Sequence, residues 1–450
     1  MILQWYSSFD AAQSLWQLTA ALLLLLTLGP GLAGRLNAHR NSMPDLLAGS
    51  QWLQGTLFLS GLWLLLLFSL TFGPSAGTMP DDDANASAAA PQSMESMIRD
   101  AAEMQDQRPY MGRGGLIGSF YFAGLRYFEA QGNTEQPLFA ARRPWLRIPM
   151  TVLALFHLAV YLAAAAVVAL QLQHYQLQPV RQLIFLTVWS ALIYAPIIHW
   201  TWGEGWLGIR HVIDSGGGVL LLLCTGTAAG IAWGAGIPPR SLQPEMAQKS
   251  MVLPPAAAEA LLPVGMVILA GALGVYSVPL RALAMLNVIA GGTGGLILTV
   301  ILTNLIPRRM TAVSNYDGFV FGMLISICSA ALISPMTAVV CGGAGTLLTL
   351  VLLDVAGLIC RCFLAPVARM AIPLSLGMLL PGVFATSANG VLQWDGGVIK
   401  SLIHGSTELM LWQTLAMVSV LAWATIATAA LIRVLRLSAV GPTRPESGGA

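Results

Sequence analysis

Long apolar stretches that recur along the whole sequence constrain the fold more than any other feature. Each is about 20 residues long, the length that a helix needs to cross the hydrocarbon core of a bilayer. Every backbone polar group in lipid must find a partner within the chain, so such stretches form helices. The short alternating strands of a membrane β-barrel are not visible in the sequence. The sequence therefore predicts an all-α polytopic membrane protein.

We predict about eleven transmembrane helices. The composition supports this class, because hydrophobic residues make up 56% of the chain and charged residues only 9%. A soluble domain carries about 25% charged residues. The predicted spans are 15–33, 52–73, 149–171, 181–199, 212–234, 258–276, 283–306, 317–335, 337–360, 370–390 and 406–433.

Lys and Arg residues set the predicted orientation, because short cytoplasmic loops carry an excess of both. With the N-terminus outside, the short outer loops carry only Arg210, Arg281 and Lys400. The long outer loop drops out of the comparison, since long loops are translocated largely regardless of charge. The inner side then receives Arg35, Arg40, Arg181, Arg240, Lys249, Arg308, Arg309, Arg361, Arg369, Arg433, Arg436 and Arg444. We predict an outside N-terminus and an inside C-terminus.

The domain layout follows from these spans. Residues 1–436 form the predicted transmembrane domain, interrupted by a long extracytoplasmic loop at 74–148, and 437–450 form a flexible cytoplasmic tail. Methionines in the loop lie at helical spacing, which favours a short amphipathic helix on the membrane or on a neighbouring subunit. Their alternative role is as thioether ligands for Cu(I). The predicted helix covers 94–104 and includes Met94, Met97 and Met104, and the alternative Cu(I) ligands are these three residues together with Met111.

Several function classes have no support in the sequence. The net charge of +2 gives no sign of nucleic-acid binding. No nucleophile–base pair, metal-ligand cluster or nucleotide-binding loop appears at usable spacing, so we expect neither an enzyme nor a cofactor. The spacing of Cys360 and Cys362 is not that of a metal site.

One segment carries a specific signature. After Trp189 the chain reads Tyr194-Ala-Pro196-Ile-Ile-His199-Trp-Thr-Trp202-Gly203, then Gly205-Trp-Leu207 and Asp214-Ser-Gly216-Gly217-Gly218. This segment resembles the signature of the ammonium transporter (Amt/Mep/Rh) family. There a Trp precedes Tyr-x-Pro-x-x-His-x-x-Trp-Gly, followed by Gly-Trp-Leu or Gly-Gly-Leu and Asp-Phe-Ala-Gly-Gly. So many unusual residues in register are far more specific than a lone glycine motif.

The resemblance implies a fold and a function. Ten helices of the family form two inverted five-helix repeats around a pore, an eleventh helix follows, and three subunits associate. By this resemblance we expect a homotrimer in the inner (plasma) membrane, with the lipid bilayer and ammonium or ammonia as its partners.

The family also implies a substrate site at the outer mouth, where a Trp and Phe side chains form a cage supported by an Asp. Carried over by position, Trp202 is the cage Trp and Asp214 the supporting carboxylate. Trp202 has the alternative role of an interfacial aromatic, and Asp214 that of a cap on the fifth helix. A Trp face attracts a desolvated cation by about 2 kcal/mol or more.

Three further residues take positions of the cage and the pore gate. His157 and Tyr161 stand where the family has Phe in the third helix, and Tyr276 stands where it has Phe in the sixth. His157 and Tyr161 are four residues apart and so lie on one helix face. Their alternative role is as buried residues outside the pore. His199 is expected to be structural and to bond loop backbone, and the remaining signature residues Trp189, Tyr194, Pro196, Gly203 and Gly217 are also structural.

The sequence departs from the family at its paired pore histidines. Leu222 stands in place of the histidine on the fifth helix and Met370 in place of that on the tenth, and no histidine lies between His211 and His404. Without this relay, we expect transport by an altered, non-electrogenic mechanism. The alternatives are an ammonium sensor or structural subunit that does not transport, and transport of another small uncharged solute. The basic tail lacks the family's regulatory motif, so no PII-type regulator is expected.

Overall fold

The protein is described here from a computed structural model, which covers residues 11–36, 50–76, 114–125, 148–172, 179–210, 212–235, 258–273, 281–307, 313–356, 365–385, 393–394, 397–398 and 401–435. Within these ranges the chain is almost entirely helical, apart from a two-stranded antiparallel hairpin of β1 (Gln393–Trp394) and β2 (Gly397–Val398). The predicted loop helix at 94–104, Met111, Tyr276 and the tail 437–450 lie outside the described residues.

Eleven long helical elements follow one another in the described chain. Helix α2 comprises Ser50–Leu62, a π-helical turn Trp63–Leu67 and Phe68–Phe72, while α4 comprises Pro179–Trp189, a π-helical turn Ser190–Tyr194 and Ala195–Thr201. The others are α1 Ala11–Leu36, α3 Met150–Leu172, α5 Gly218–Ala235, α6 Leu261–Leu273, α7 Arg281–Leu305, α8 Asn315–Ile327, α9 Pro335–Val355, α10 Ala365–Phe384 and α11 Glu408–Val434. Each corresponds to one predicted span.

Several predicted helix boundaries differ from the structure by five residues or more. Helix α8 ends at Ile327 instead of continuing to 335, and turns follow until Ser334 caps α9. Asn287 stabilises these turns, because its amide nitrogen donates to the carbonyls of Ala330 and Ile333, both at 2.7 Å. Helix α10 begins at Ala365 instead of 370, since Pro366 is tolerated in a first helical turn.

Glycines allow the helices of the second half to approach closely. A Cβ atom on Gly322 of α8 or Gly342 of α9 would overlap the carbonyl oxygen of Gly291 in α7. A Cβ on Gly31 of α1 would likewise overlap the backbone of Leu262 in α6. Small residues at helix contacts favour association in lipid, where the hydrophobic effect does not drive helices together.

Contacts also join the two predicted repeats. Helix α1 packs against α6, and α5 packs against α10. Trp16 and Gln17 of α1 donate to the carbonyls of Gly271 and Ala272, at 3.2 and 2.8 Å, and so satisfy backbone acceptors at the C-terminal end of α6.

A buried ionic cluster connects helix ends from both halves. Arg35 at the end of α1 contacts Glu259 and Asp317, each at 2.6 Å, and Arg369 of α10 lies 3.6 Å from Asp317. Asp317 also caps α8, since its carboxylate accepts from the Ser314 backbone at 2.9 Å. Arg35 and Arg369 both belong to the side that the sequence predicts as cytoplasmic.

The surface formed by the sides of the helices is apolar, as a surface in contact with lipid requires. Large hydrophobic side chains are exposed along α7, α9 and α11. Eight of the described helices are long and apolar enough to cross a membrane, and α5 and α6 are shorter apolar helices. The residues exposed on α7, α9 and α11 include Ile297, Leu305, Val340, Val351, Leu411 and Ile426.

Candidate functional site at the outer mouth

Asp214 organises the start of α5. Its Oδ1 accepts the backbone N–H groups of Gly217 at 3.0 Å and Gly218 at 2.8 Å, and its Oδ2 accepts that of Val219 at 2.9 Å. The helix therefore begins at Gly218, later than the predicted span. Gly217 has a φ of +89°, a conformation that a side chain would strain. Asp214 is a helix cap, one of the two roles open from the sequence.

Trp202 lies beside this carboxylate. The residue follows the last turn of α4, where its backbone N–H donates to Ile198 at 2.8 Å. Its indole Nε1 donates to Oδ2 of Asp214 at 3.3 Å, and both side chains are half-buried. The indole and the carboxylate thus share one face of the protein, at the ends of α4 and α5 on the predicted outer side.

His157 also lies beside Trp202. Its ring centroid is 5.9 Å from that of Trp202, and it also contacts Phe156 at 5.0 Å. Phe72 from the end of α2 approaches the imidazole at 4.5 Å. We refer to Trp202, Asp214, His157 and Phe72 as the mouth cluster. Phe72 was missed in the sequence analysis, because hydropathy does not reveal which helix end supplies a neighbour from another part of the chain.

Tyr161 belongs to a second, deeper aromatic group. Its ring stacks on Trp63 with centroids 5.4 Å apart, and it meets Tyr194 edge-on at 5.1 Å. Its hydroxyl bonds Ser190 Oγ at 2.8 Å, and Ser190 itself donates to the Leu186 carbonyl at 2.6 Å. Trp63 and Ser190 each begin a π-helical turn. Such turns occur frequently at functional sites.

His199 is held by hydrogen bonds on both ring nitrogens. Nδ1 lies 3.0 Å from the Thr71 carbonyl and Nε2 lies 3.0 Å from Ser75 Oγ. The Ser75 hydroxyl also accepts the backbone N–H of Gly115 at 2.9 Å. Nδ1 therefore carries the proton, and Ser75 donates to Nε2. This chain of hydrogen bonds connects α4 with the end of α2.

The other signature residues fit closely packed positions. A Cβ on Gly203 would overlap the Thr71 carbonyl. Pro196 has no N–H to donate to the Leu192 carbonyl four residues earlier. That carbonyl accepts instead from the indole of Trp423 in α11, at 3.0 Å. Trp189 is fully buried, and its indole lies 3.2 Å from the Thr227 hydroxyl of α5.

Glu204 was also missed by the sequence analysis. It is buried, and its φ of +62° makes it the non-glycine residue with positive φ in the described chain. Strained backbone of this kind clusters at functional sites. The sequence does not predict the positive φ of Glu204, because its neighbours Gly203 and Gly205 would be expected to adopt such a conformation instead.

The core around Leu222 and Met370 is largely apolar. Leu222 and Met370 are both fully buried and belong to one hydrophobic core. The residues around Leu222 in α5, from Val219 to Leu223, are also fully buried. Within the described residues, no group of three or more His, Cys, Asp and Glu could hold a metal ion.

Asp214 is the acidic group of the mouth cluster. Burial raises the pKa of its carboxyl above the ordinary value, and the hydrogen bonds from Val219, Gly218, Gly217 and Trp202 act in the opposite direction. Its four donors fix the direction of the carboxylate and occupy both of its oxygens, so a nearby cation would feel its charge through the electrostatic field and not through a free lone pair.

A series of apolar helices long enough to cross a bilayer, with large apolar side chains exposed on their surface, defines a multi-pass membrane protein. The model of the Ammonium Transporter Family matches residues 118–440, more than half of the chain. The chain therefore belongs to the ammonium transporter family, as a divergent member without the paired pore histidines.

Comparisons with individual proteins agree with this assignment. The chain is 39% identical over 46 residues to an ammonium transporter of Bacillus subtilis, covering 10% of this chain and 11% of that protein. It is 36% identical over 47 residues to the ammonium transporter Amt1 of Archaeoglobus fulgidus, covering 10% and 12%. The matching segments thus span about a tenth of these relatives.

Solved structures share the fold over nearly the whole chain. The Mep2 structure from Saccharomyces cerevisiae superposes with a TM-score of 0.68 at 18% identity, covering 98% of this chain and 92% of that one. Mep2 from Candida albicans gives 0.66 at 17% identity, covering 96% and 87%. A structure described as a sensor Amt protein gives 0.62 at 16% identity, covering 96% and 95%.

Proposed function

We propose that this protein recruits ammonium at the mouth cluster and passes ammonia through its apolar interior. The observation that carries the proposal is the 3.3 Å contact between the indole of Trp202 and the carboxylate of Asp214. The contact places an aromatic face and an anion together at the start of α5. Those are the two groups that favour a small cation which is losing its water.

The energetics favour a cation at this position. A Trp face attracts a desolvated cation by about 2 kcal/mol or more. Asp214 adds an attraction that strengthens as water is excluded, because Coulomb energies grow when the local dielectric falls. Together they oppose the desolvation cost that otherwise keeps ammonium in bulk water.

The interior favours a neutral solute. Leu222 and Met370 offer no group that could hold a charge, and Val219 to Leu223 are buried without exposed polar side chains. A charge at the centre of a bilayer costs at least about 2.5–3.5 kcal/mol. The proposed transport is therefore non-electrogenic: ammonia crosses and the proton stays behind.

The assembly and location complete the proposal. We place the chain as a homotrimer in the cell inner (plasma) membrane, with the N-terminus outside and no PII-type regulator. We assign 1–436 to the transmembrane domain, 74–148 to an outer insertion and 437–450 to the tail. Ammonium is the proposed substrate, and Trp202, Asp214 and His157 are the proposed contacts, with Tyr161 and Tyr276 as gate residues.

A second candidate function is ammonium sensing without transport. The complete burial of Leu222 and Met370, at the two positions of the missing histidines, favours it, because side chains packed this closely would block a pore. A sensor would bind ammonium at the mouth cluster and pass nothing.

Proteoliposomes test both candidates. An inward ammonium gradient should raise the internal pH of vesicles that contain the protein, above the leak of empty vesicles. Trp202→Leu should lower the apparent ammonium affinity about 30-fold, the equivalent of about 2 kcal/mol. Trp233→Leu is the matched control, because Trp233 is 53% exposed on the opposite end of α5. Flux equal to empty vesicles, with ammonium binding retained, would establish the sensor instead.

A further inference from the structure

We infer that Ser75 is a positioning residue of the outer mouth and that it acts together with residues 114–119 of the outer insertion. We call residues 114–119 the return segment and residues 199–207 the Trp202 loop. Ser75 and the return segment hold the Trp202 loop in place, and so they set how tightly the mouth binds ammonium. The inference rests on the proposed function and adds the part of the chain on which the position of Trp202 depends.

The Trp202 loop requires support from outside α4. The backbone N–H groups of Trp202 and Gly203 both donate to the Ile198 carbonyl, at 2.8 and 3.0 Å. Beyond this point the chain leaves the helix, and Glu204 has a φ of +62°. Backbone of this kind persists only where the surrounding structure holds it. The Asp214 carboxylate accepts from the indole ring, so the backbone of the loop needs contacts of its own.

The return segment supplies these contacts. Three of its successive residues form hydrogen bonds with the Trp202 loop, on both sides of Trp202. The bonds run from the Gly114 N–H to the Glu204 carbonyl at 3.3 Å, from the Trp206 N–H to the Gly115 carbonyl at 3.3 Å, and from the Trp200 indole N–H to the Leu116 carbonyl at 2.7 Å. The two segments also approach closely, since a Cβ on Gly205 would lie 2.9 Å from the Gly115 carbonyl.

Ser75 connects the return segment with the first residue of the Trp202 loop. Its fully buried hydroxyl accepts the Gly115 N–H at 2.9 Å and donates to Nε2 of His199 at 3.0 Å. His199 in turn donates from Nδ1 to the Thr71 carbonyl at 3.0 Å, and its own carbonyl accepts the Gly205 N–H at 2.7 Å. The Ser75 hydroxyl thus stabilises the residue from which the loop starts.

The return segment is itself fixed to the end of α2. The Gly118 N–H donates to the Leu70 carbonyl at 2.8 Å, and the Ser69 hydroxyl donates to the Ser119 carbonyl, also at 2.8 Å. A Cβ on Gly118 would overlap the backbone of α2. A displacement of the return segment therefore moves the loop that carries Trp202, and the outer insertion is coupled to the mouth through hydrogen bonds.

Ser75→Ala is the variant that tests this coupling. It removes one hydroxyl and with it the bonds to His199 and Gly115. Ser119→Ala is the matched control, because the Ser119 hydroxyl lies in the return segment and has no hydrogen-bond partner within the described residues. Trp200→Phe is a second variant, which keeps an aromatic ring and removes the bond to the Leu116 carbonyl. The reconstituted proteins are compared by ammonium binding, maximum rate of internal alkalinisation and thermal melting.

We expect a change in affinity and not in rate. Ser75→Ala and Trp200→Phe should each raise the half-saturating ammonium concentration about three- to tenfold, less than the loss of about 30-fold expected when Trp202→Leu removes the indole. The maximum rate of the folded variants should change by less than about twofold, since only binding is weakened. Ser119→Ala should behave like wild type.

A double variant separates positioning from general stability. In the Trp202→Leu protein, a further Ser75→Ala change should leave the half-saturating concentration unchanged, because its effect on binding passes through an indole that is no longer present. A residue that only stabilises the fold would lower the melting temperature in both backgrounds and would leave the affinity of the folded protein alone.

Three outcomes decide the inference. Wild-type affinity in folded Ser75→Ala and Trp200→Phe would overturn it and leave the proposed function intact, and if Ser75→Ala does not fold, Trp200→Phe decides by the same criterion. An equal loss of affinity with and without the Trp202 indole would also overturn it, because Ser75 would then act by another route. Failure of the wild type to bind ammonium would reject the proposed function, and the inference with it.

Discussion

Asp214→Asn tests how much the Asp214 carboxylate stabilises the start of α5 and the mouth cluster. In wild type each carboxylate oxygen accepts two N–H groups, Oδ1 from Gly217 and Gly218 and Oδ2 from Val219 and Trp202. An asparagine of the same shape retains one oxygen, and its NH₂ group would face two donors. The substitution therefore removes half of the hydrogen bonds at the start of α5.

The expected loss of stability depends on how deeply the two donors that lose their acceptor are buried. The Val219 N–H is fully buried, so leaving it unpaired costs about 1–3 kcal/mol. The Trp202 indole is half-buried and water can replace part of its bond, which adds less than about 1 kcal/mol. We expect Asp214→Asn to lower the free energy of unfolding by about 2–3 kcal/mol.

Thermal melting of the purified protein in detergent measures this loss. Asp354→Asn is the matched control, because Asp354 is exposed near the end of α9 and makes no described cap. Asp214→Asn should melt several degrees below both wild type and the control. Equal melting of all three proteins would refute the role of Asp214 as the cap that positions Trp202.

Three further perturbations test other parts of the structure. Gly203→Ala should abolish folded protein because its Cβ would overlap a backbone carbonyl, whereas Gly61→Ala has open space and should melt like wild type; equal yields would contradict this. Arg35→Met should lower the free energy of unfolding by about 3–5 kcal/mol, because Asp317 loses the shorter of its two ion pairs. An unchanged melting temperature would contradict a stabilising role of the ionic cluster. Burial raises the pKa of Asp214, so this carboxyl is protonated at a higher pH than an exposed Asp. Ammonium binding should therefore weaken at a higher pH as the solution is acidified. Binding that is lost only in the pH range of an exposed Asp would refute this prediction.

Much of the fold follows from the sequence, and the reasons are physical. Apolar length sets the number of spans, because lipid leaves the backbone no alternative to helices. The ends are harder to predict. Helix α8 stops at Ile327 because Asn287, from another helix, bonds the carbonyls that follow, and nothing in the local sequence encodes that contact.

The candidate site also contains residues that the sequence predicts and residues that only the structure reveals. Trp202 and Asp214 could be identified because they stand in one short segment whose spacing is specific, and the structure brings them within hydrogen-bonding distance. Phe72 and Ser75 come from the end of α2, far away in the sequence, and their roles emerge only from packing. Tyr161 stacks on Trp63 of α2, a contact between distant parts of the chain that the sequence does not reveal.

The π-helical turn at Ser190–Tyr194 has a consequence for how members of this family can differ in length. A π-helical turn holds roughly one residue more than an α-helical turn, so removing one residue there would restore regular winding without shifting the flanking parts of α4 along its axis. Chains that differ by a single residue at this point can thus keep His199 and Trp202 in place. An inserted residue that is not absorbed by such a turn would instead rotate one part of α4 relative to the other.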